Sequence, residues 1–161
     1  MFTSRAEHRL MLREDNADLR LTERGRTLGL VDDVRWAKYS QKREAIARET
    51  ARLQGILVRP EALSADESQA LFGAPLARES RALELLRRPG VSHGALTALA
   101  AVGDAGVAPE VAEQVEIQAR YAGYITRQQD EVQRTRAQQE TRLPTNLDYA
   151  SVSGDRKSTR L

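Results

Sequence analysis

Residues 32–54 read DDVRWAKYSQKREAIARETARLQ. Trp36, Tyr39, Ile46 and Leu53, continued by Leu57, recur at steps of three and four, and Arg43 and Thr50 interrupt the same register. An apolar stripe of that period with polar residues behind it is the signature of a helix packed on a partner helix. Asp32 or Asp33 is placed to cap it, because a short carboxylate can accept a hydrogen bond from an orphan amide of the first turn. The spacing predicts a helix from there to about Gln54.

Toward the N-terminus, Leu19-Arg20-Leu21 is a brief alternation. Thr22 is the expected cap of a short helix bracketed by Gly25 and Gly29, with Gly29 ending it. Further out, Ser4 and Glu7 have the spacing of a capping box and predict a helix to about Arg13. Glu14-Asp15-Asn16 should then break it, since short polar side chains compete for the backbone.

Toward the C-terminus, Pro60, Pro75, Pro89 and Pro109 punctuate the chain. Ser64 and Glu67 form a second capping box, and short helices are expected near 65–72, 80–88 and 93–101. Pro109 suits the first position of a long polar helix running to about Arg142. Val111, Val115, Tyr121, Ile125 and Val132 would line one face of it, although residues 115–121 also alternate as a strand would. Leu143-Pro144 ends this element. The expected fold is all-α, with two long helices, several short ones and minimal or no β structure. Three regions are expected: a bridging segment 1–31, a helical domain 32–154 and a tail 155–161.

Composition narrows the function classes. The chain has 161 residues, 40% of them hydrophobic, and no cysteine, which suits one or two small domains and excludes disulfides and cysteine-ligated zinc. With two histidines, no metal site is expected. The longest apolar run, 95–102, is far short of the roughly 20 residues a membrane helix needs, and the N-terminus has no apolar signal core. A cytoplasmic protein without membrane partners is the expectation. The net charge of +2 invites a nucleic-acid reading. Yet Arg156, Lys157 and Arg160 against Asp155 account for all of it, so residues 1–154 are neutral. The tail DRKSTRL is the translation of GAT CGG AAG AGC ACA CGT CTG, which resembles a sequencing adapter, and is expected to be non-native. A different genomic sequence after the Gly154 codon would bear this out; a native DRKSTRL would refute it.

No phosphate-binding glycine loop, H-E-x-x-H or G-x-S-x-G motif is present, so no catalytic or cofactor-binding residue is assigned. Three features carry what signal there is. Arg5, Arg9 and Arg13 are spaced by four and would form one ridge on a helix, each offering a planar fork of donors to a phosphate. Acids in the same block balance these arginines, so a solvated, ion-paired face is the competing reading. Asp15, Asn16 and Asp18 lack the glycine and distal glutamate of a calcium loop and read as turn and cap residues. Arg35, Lys38, Lys42, Arg43, Arg48, Arg52 and Arg59 make the 33–59 helix positive against Asp33, Glu44 and Glu49, which suits a solvated face or a phosphate track. Trp36, Tyr39, Tyr121 and Tyr124 are core aromatics by their spacing, with base stacking as the alternative.

Two blocks then carry a family resemblance. MFTSRAEHRLMLREDNADLRLTERGRTLGLVDD, residues 1–33, resembles the segment opening the C-terminal region of the glucose-inhibited division protein A family (MnmG/GidA). AEQVEIQARYAGYITRQQDEV, followed by LPTNLDYASVSG, is similar to the same family in the same order. The resemblance covers about 1–54 and 111–154. It implies a parent flavoenzyme that uses FAD, NADH and a folate one-carbon donor to modify C5 of the tRNA wobble uridine. It also implies a homodimer and a GTPase partner subunit. Measured against the family, the chain is expected to be truncated at both ends, lacking the flavin motifs and the GTPase-docking helices, and to be inactive alone. Ser4, Arg5, Arg9, Arg13, Asn16, Asp18 and Arg20 match the family motif, whereas His8 stands where the family commonly has Tyr. The resemblance makes Arg5, Arg9, Arg13 and Arg20 tRNA-binding candidates, with Ser4, Glu7, Asn16 and Asp18 as motif-structural residues. The alternative is a stand-alone helical adaptor, with helices 33–54 and 109–142 pairing like a coiled coil and no RNA chemistry. Truncation should also leave Met11, Leu12, Leu19 and Leu21 exposed and the chain prone to associate.

Overall fold

The computed structural model describes residues 10–139. Its elements in chain order are α1 (Ala17–Thr27), α2 (Asp33–Gly55), β1 (Leu57–Val58), a 3-10 turn (Pro60–Ala62), α3 (Ala65–Phe72), β2 (Ser80–Arg81), α4 (Ala82–Leu86), α5 (His93–Thr97) and α6 (Pro109–Gln139). The fold is all-helical apart from one antiparallel pair, in which Leu57 faces Arg81 and Val58 faces Ser80.

Local chemistry sets most boundaries. Asp32 caps α2, its carboxylate accepting from the Arg35 amide. Ser64 and Glu67 close the capping box on α3, which spans the expected residues and ends at Gly73 in the left-handed conformation. Ser92 caps α5 by accepting from the Ala95 amide. The residues 115–121, whose alternation also fitted a strand, lie inside α6.

Several expectations fail in detail. Residues 10–12 are turn and bend and residue 13 is irregular, so Arg13 does not sit on a helical ridge. Ser4, Arg5, Glu7, His8 and Arg9 lie outside the described residues. The short helix begins at Ala17, not after Thr22, and absorbs Leu19-Arg20-Leu21. Its start is set upstream: the Asn16 backbone carbonyl accepts from the Arg20 amide, and the Asn16 side-chain Nδ2 donates to Met11 O. Residues 80–81 pair as β2 instead of opening a helix, because Ile56 O accepts from the Ala82 amide and draws this segment beside β1. Helix α5 ends at Thr97 rather than near 101, and residues 98–102 continue as turns.

The long helices are not a simple pair. α2 packs mainly on α1 and α4. The short middle elements supply the centre of the core. Leu53 of α2 and Val58 of β1 are fully enclosed with Leu85 and Leu86 of α4, Val91 and Leu96. α6 adds Val111, Val115 and Ala119 from its N-terminal half. Each enclosed leucine contributes on the order of 2 kcal/mol of transfer free energy. The chain divides into a compact unit ending at Thr126 and a second unit beginning at Arg127, so the last turns of α6 belong to the second. Among the described residues, no helix is long and apolar enough to cross a membrane.

Of the four apolar residues expected to be exposed, Leu12 and Leu21 are. Leu19 instead packs against the core, and Met11 is half-buried.

Candidate nucleic-acid interface

The cations of α2 do not form one uniform face. Arg35, Lys38 and Lys42 follow at i, i+3 and i+7 and so share a side of the helix. Lys42 Nζ donates to Asp18 Oδ2 of α1 at 2.8 Å, and Arg35 lies 3.7 Å from Asp32 with most of its side chain in solvent. Among the described residues, Lys38 has no carboxylate partner. Arg43 pairs with Glu23 and lies over the Tyr39 ring at 5.6 Å. Arg59 was expected on the same helix but lies beyond β1, outside α2, and reaches only to 3.9 Å from Glu79.

Two depressions open along this helix. A cleft of about 350 Å³ is lined by Arg35, Lys38 and Lys42 together with Asp18, Thr22 and Glu110. A larger groove of about 580 Å³ is mostly apolar, walled by Leu19, Ile46, Ala47 and Ala51, with Gln54 and Gln118 at its polar edge. Tyr39 lines both. Its ring is buried and tilted against Trp36, centroid to centroid 5.5 Å. It is therefore a core aromatic that also forms the divide between a charged and an apolar hollow.

The remaining motif residues lie at the start of the described chain. Arg13 donates through Nε and Nη2 to both oxygens of Asp15, at 2.9 and 3.0 Å, and through Nη1 to Leu10 O at 2.6 Å. Its guanidinium also sits 5.1 Å from the centre of the Tyr121 ring. Asp15 Oδ2 accepts from Gln114 of α6 at 3.1 Å, so Arg13 and Asp15 together fasten the entry segment to α6. The Arg13 hydrogen bond is the main reason the Asp15 carboxyl is held below its ordinary value. Arg20 donates to Asn16 Oδ1 at 2.8 Å and leans toward Arg13 O. Asp18 serves Lys42 and the Leu19 amide. Among the described residues, no cluster of three His, Asp or Glu side chains is arranged to hold a metal ion.

One polar cluster escaped the sequence reading. Arg52, one of the cations expected on a solvated face or phosphate track, turns inward. Its Nε and Nη2 bond both oxygens of Glu49 at 2.7 and 2.8 Å, and Nη1 donates to Val102 O at 2.9 Å. His93 Nε2 meets Glu49 Oε1 at 2.8 Å. Burial pushes the Glu49 carboxyl up, yet the bonds from Arg52 and His93 outweigh it and leave the group below its ordinary value. The sequence did hold a hint: Glu49 falls on the register of Tyr39, Ile46 and Leu53, where a carboxylate must be paired.

Comparison with known proteins agrees with this architecture. Residues 33–129 match the model of the tRNA modifying enzyme MnmG/GidA C-terminal helical domain. Two solved structures of GidA from Aquifex aeolicus, in crystal forms II and I, are similar at 25% identity, with TM-scores of 0.66 and 0.65 over 96% and 98% of this chain. The chain spans 23% of the length of each. With a helical core of this shape and a family match over most of it, the chain belongs to the family of MnmG/GidA C-terminal helical domains.

Proposed function

We propose that this chain supplies tRNA contacts to an enzyme that modifies C5 of the wobble uridine, with FAD, NADH and a folate acting elsewhere in the longer parent. The parent's homodimer and GTPase partner belong to the same reading. The single observation that carries it is family membership combined with the Arg35–Lys38–Lys42 face of α2 and its cleft. Phosphate contacts by such cations dominate affinity for nucleic acid and make it salt-dependent. Nothing among the described residues fits a dinucleotide: the only sheet is two residues long in each strand, with no glycine-rich turn leading from strand to helix.

Arg5, Arg9, Arg13 and Arg20 remain part of the proposal as phosphate contacts. Arg13 is the weakest of them, because its fork already serves Asp15 and Leu10.

The test is binding of an anticodon stem-loop RNA to the full chain, followed by fluorescence anisotropy across a salt series. Lys38→Ala should reduce the slope of log K against log salt by about one. Arg5→Ala or Arg9→Ala in the full-length parent should do the same. Absence of any salt-dependent binding would leave only a helical adaptor.

A further inference from the structure

The groove beside Tyr39 has features that phosphate contacts alone leave unused. Its volume of about 580 Å³ falls within the range of small-ligand sites, and its walls are Leu19, Ile46, Ala47 and Ala51. Two side-chain amides, Gln54 and Gln118, stand at its edge. Neither makes a side-chain hydrogen bond among the described residues. An amide offers one acceptor and a pair of donors in a plane, which complements the edge of a nucleobase. The cleft holding Lys38 adjoins this groove and shares Tyr39 with it. Arg43 stands at the groove itself, its charge already met by Glu23.

An apolar slot with planar amides next to the unpaired ammonium of Lys38 fits one chemical unit, a nucleotide. We propose that the groove seats a single unpaired base of a bound RNA strand, with the adjoining phosphate in the Arg35–Lys38–Lys42 cleft. This rests on the tRNA-contact reading above and adds to it a base subsite away from any reacting centre. Aliphatic walls can pack against either face of a base, and the two amides at the groove's edge carry the donors and acceptors its edge needs. An apolar side chain of a protein partner would fill the slot but has no use for the neighbouring cation.

Trp36 is the chain's sole tryptophan and touches Tyr39, so its emission reports on this place. The experiment titrates the full chain with a uridylate pentamer and with a ribose-phosphate pentamer of equal length that lacks bases. The base-bearing strand should bind about tenfold tighter, through apolar burial of one base, and alter Trp36 emission, whereas the abasic strand should bind through charge alone. Ala51→Leu, an exposed position that fills the slot, should erase the tenfold difference while leaving abasic binding and its salt slope unchanged. Gln54→Ala, also exposed, should reduce the difference without adding bulk. Equal affinity for the two strands, or an Ala51→Leu chain that still prefers bases tenfold, would overturn the base subsite and leave the tRNA-contact reading intact. Failure of both strands to bind would overturn both.

Discussion

His93 and Glu49 meet inside the core, Nε2 to Oε1 at 2.8 Å, with their side chains 5% and 1% exposed. The contact joins α5 to α2. Arg52 completes it from one helical turn further along α2 and ties the pair to the Val102 carbonyl. The His93 amide in turn donates to Glu116 Oε2, so α6 is drawn into the same cluster. A polar knot at this depth fixes how three helices sit on one another, because each group would be costly to leave unpaired.

Arg52→Ala removes the bidentate partner and leaves the Glu49 carboxylate buried beside a single histidine. It should destabilise the chain by about 3 kcal/mol, since breaking a buried pair from one side strands a charge. Glu49→Leu with Arg52→Met replaces both charges by apolar groups of similar volume and should recover only part of that loss, because it leaves His93 Nε2 without its partner. Urea denaturation of the two variants checks the order. A double variant less stable than Arg52→Ala would show that the pair contributes net stability.

The acid limb of stability follows from Glu49 and Asp15, whose carboxyls are both held below their ordinary values. Such groups bind protons more weakly in the folded chain than in the unfolded one. Their contribution is complete above the ordinary carboxylate range of about 4 and falls away as pH drops through the lowered folded values. The urea midpoint should therefore decline below about pH 4. Glu49→Gln should be less stable at neutral pH but lose less on acidification. Parallel acid limbs for the two proteins would remove Glu49 as a source.

How much of this was legible depends on the range of the forces involved. Asp32, Ser64 and Glu67 act within one helical turn, so their caps could be read from spacing alone, and α3 starts and stops where they predict. The stripe is likewise local: Tyr39, Ile46 and Leu53 are buried as expected, whereas Trp36 is half-buried and Leu57, beyond the helix in β1, is exposed. Arg13 misled because a spacing of four carries meaning only on a helix, and Asp15, two residues away, offers its guanidinium a closer partner than any helical neighbour. Arg52 misled because its destination, Val102, lies 50 residues away. The two hollows flanking Tyr39 depend on where α1 and α6 come to rest, which no single segment encodes.

Ser64→Ala tests the local side of that contrast. The Ser64 hydroxyl accepts from the Glu67 amide at 3.2 Å while the Glu67 carboxylate accepts from the Ser64 amide at 2.8 Å. Loss of the hydroxyl should cost about 1 kcal/mol and lower the melting temperature by a few degrees. RNA affinity should be untouched. A loss above about 2 kcal/mol would show that α3 is coupled to the core more tightly than its capping implies.

Arg13 separates anchoring from phosphate binding. Its side chain is 14% exposed and holds Asp15, which Gln114 grips from α6. Arg13→Ala should therefore cost about 2 kcal/mol, the scale of hydrogen bonds to charged groups, and should free the entry segment from α6. Arg13→Lys should recover only part of this, because an ammonium cannot meet both oxygens of Asp15 and the Leu10 carbonyl in one plane. Hydrogen exchange at residues 14–20 should quicken in both variants, and Asp15→Asn should reproduce much of the effect. The salt slope for stem-loop RNA decides the role: if it is unchanged in Arg13→Ala, the residue is an anchor. A slope lower by about one, with melting temperature preserved, would make Arg13 a phosphate contact.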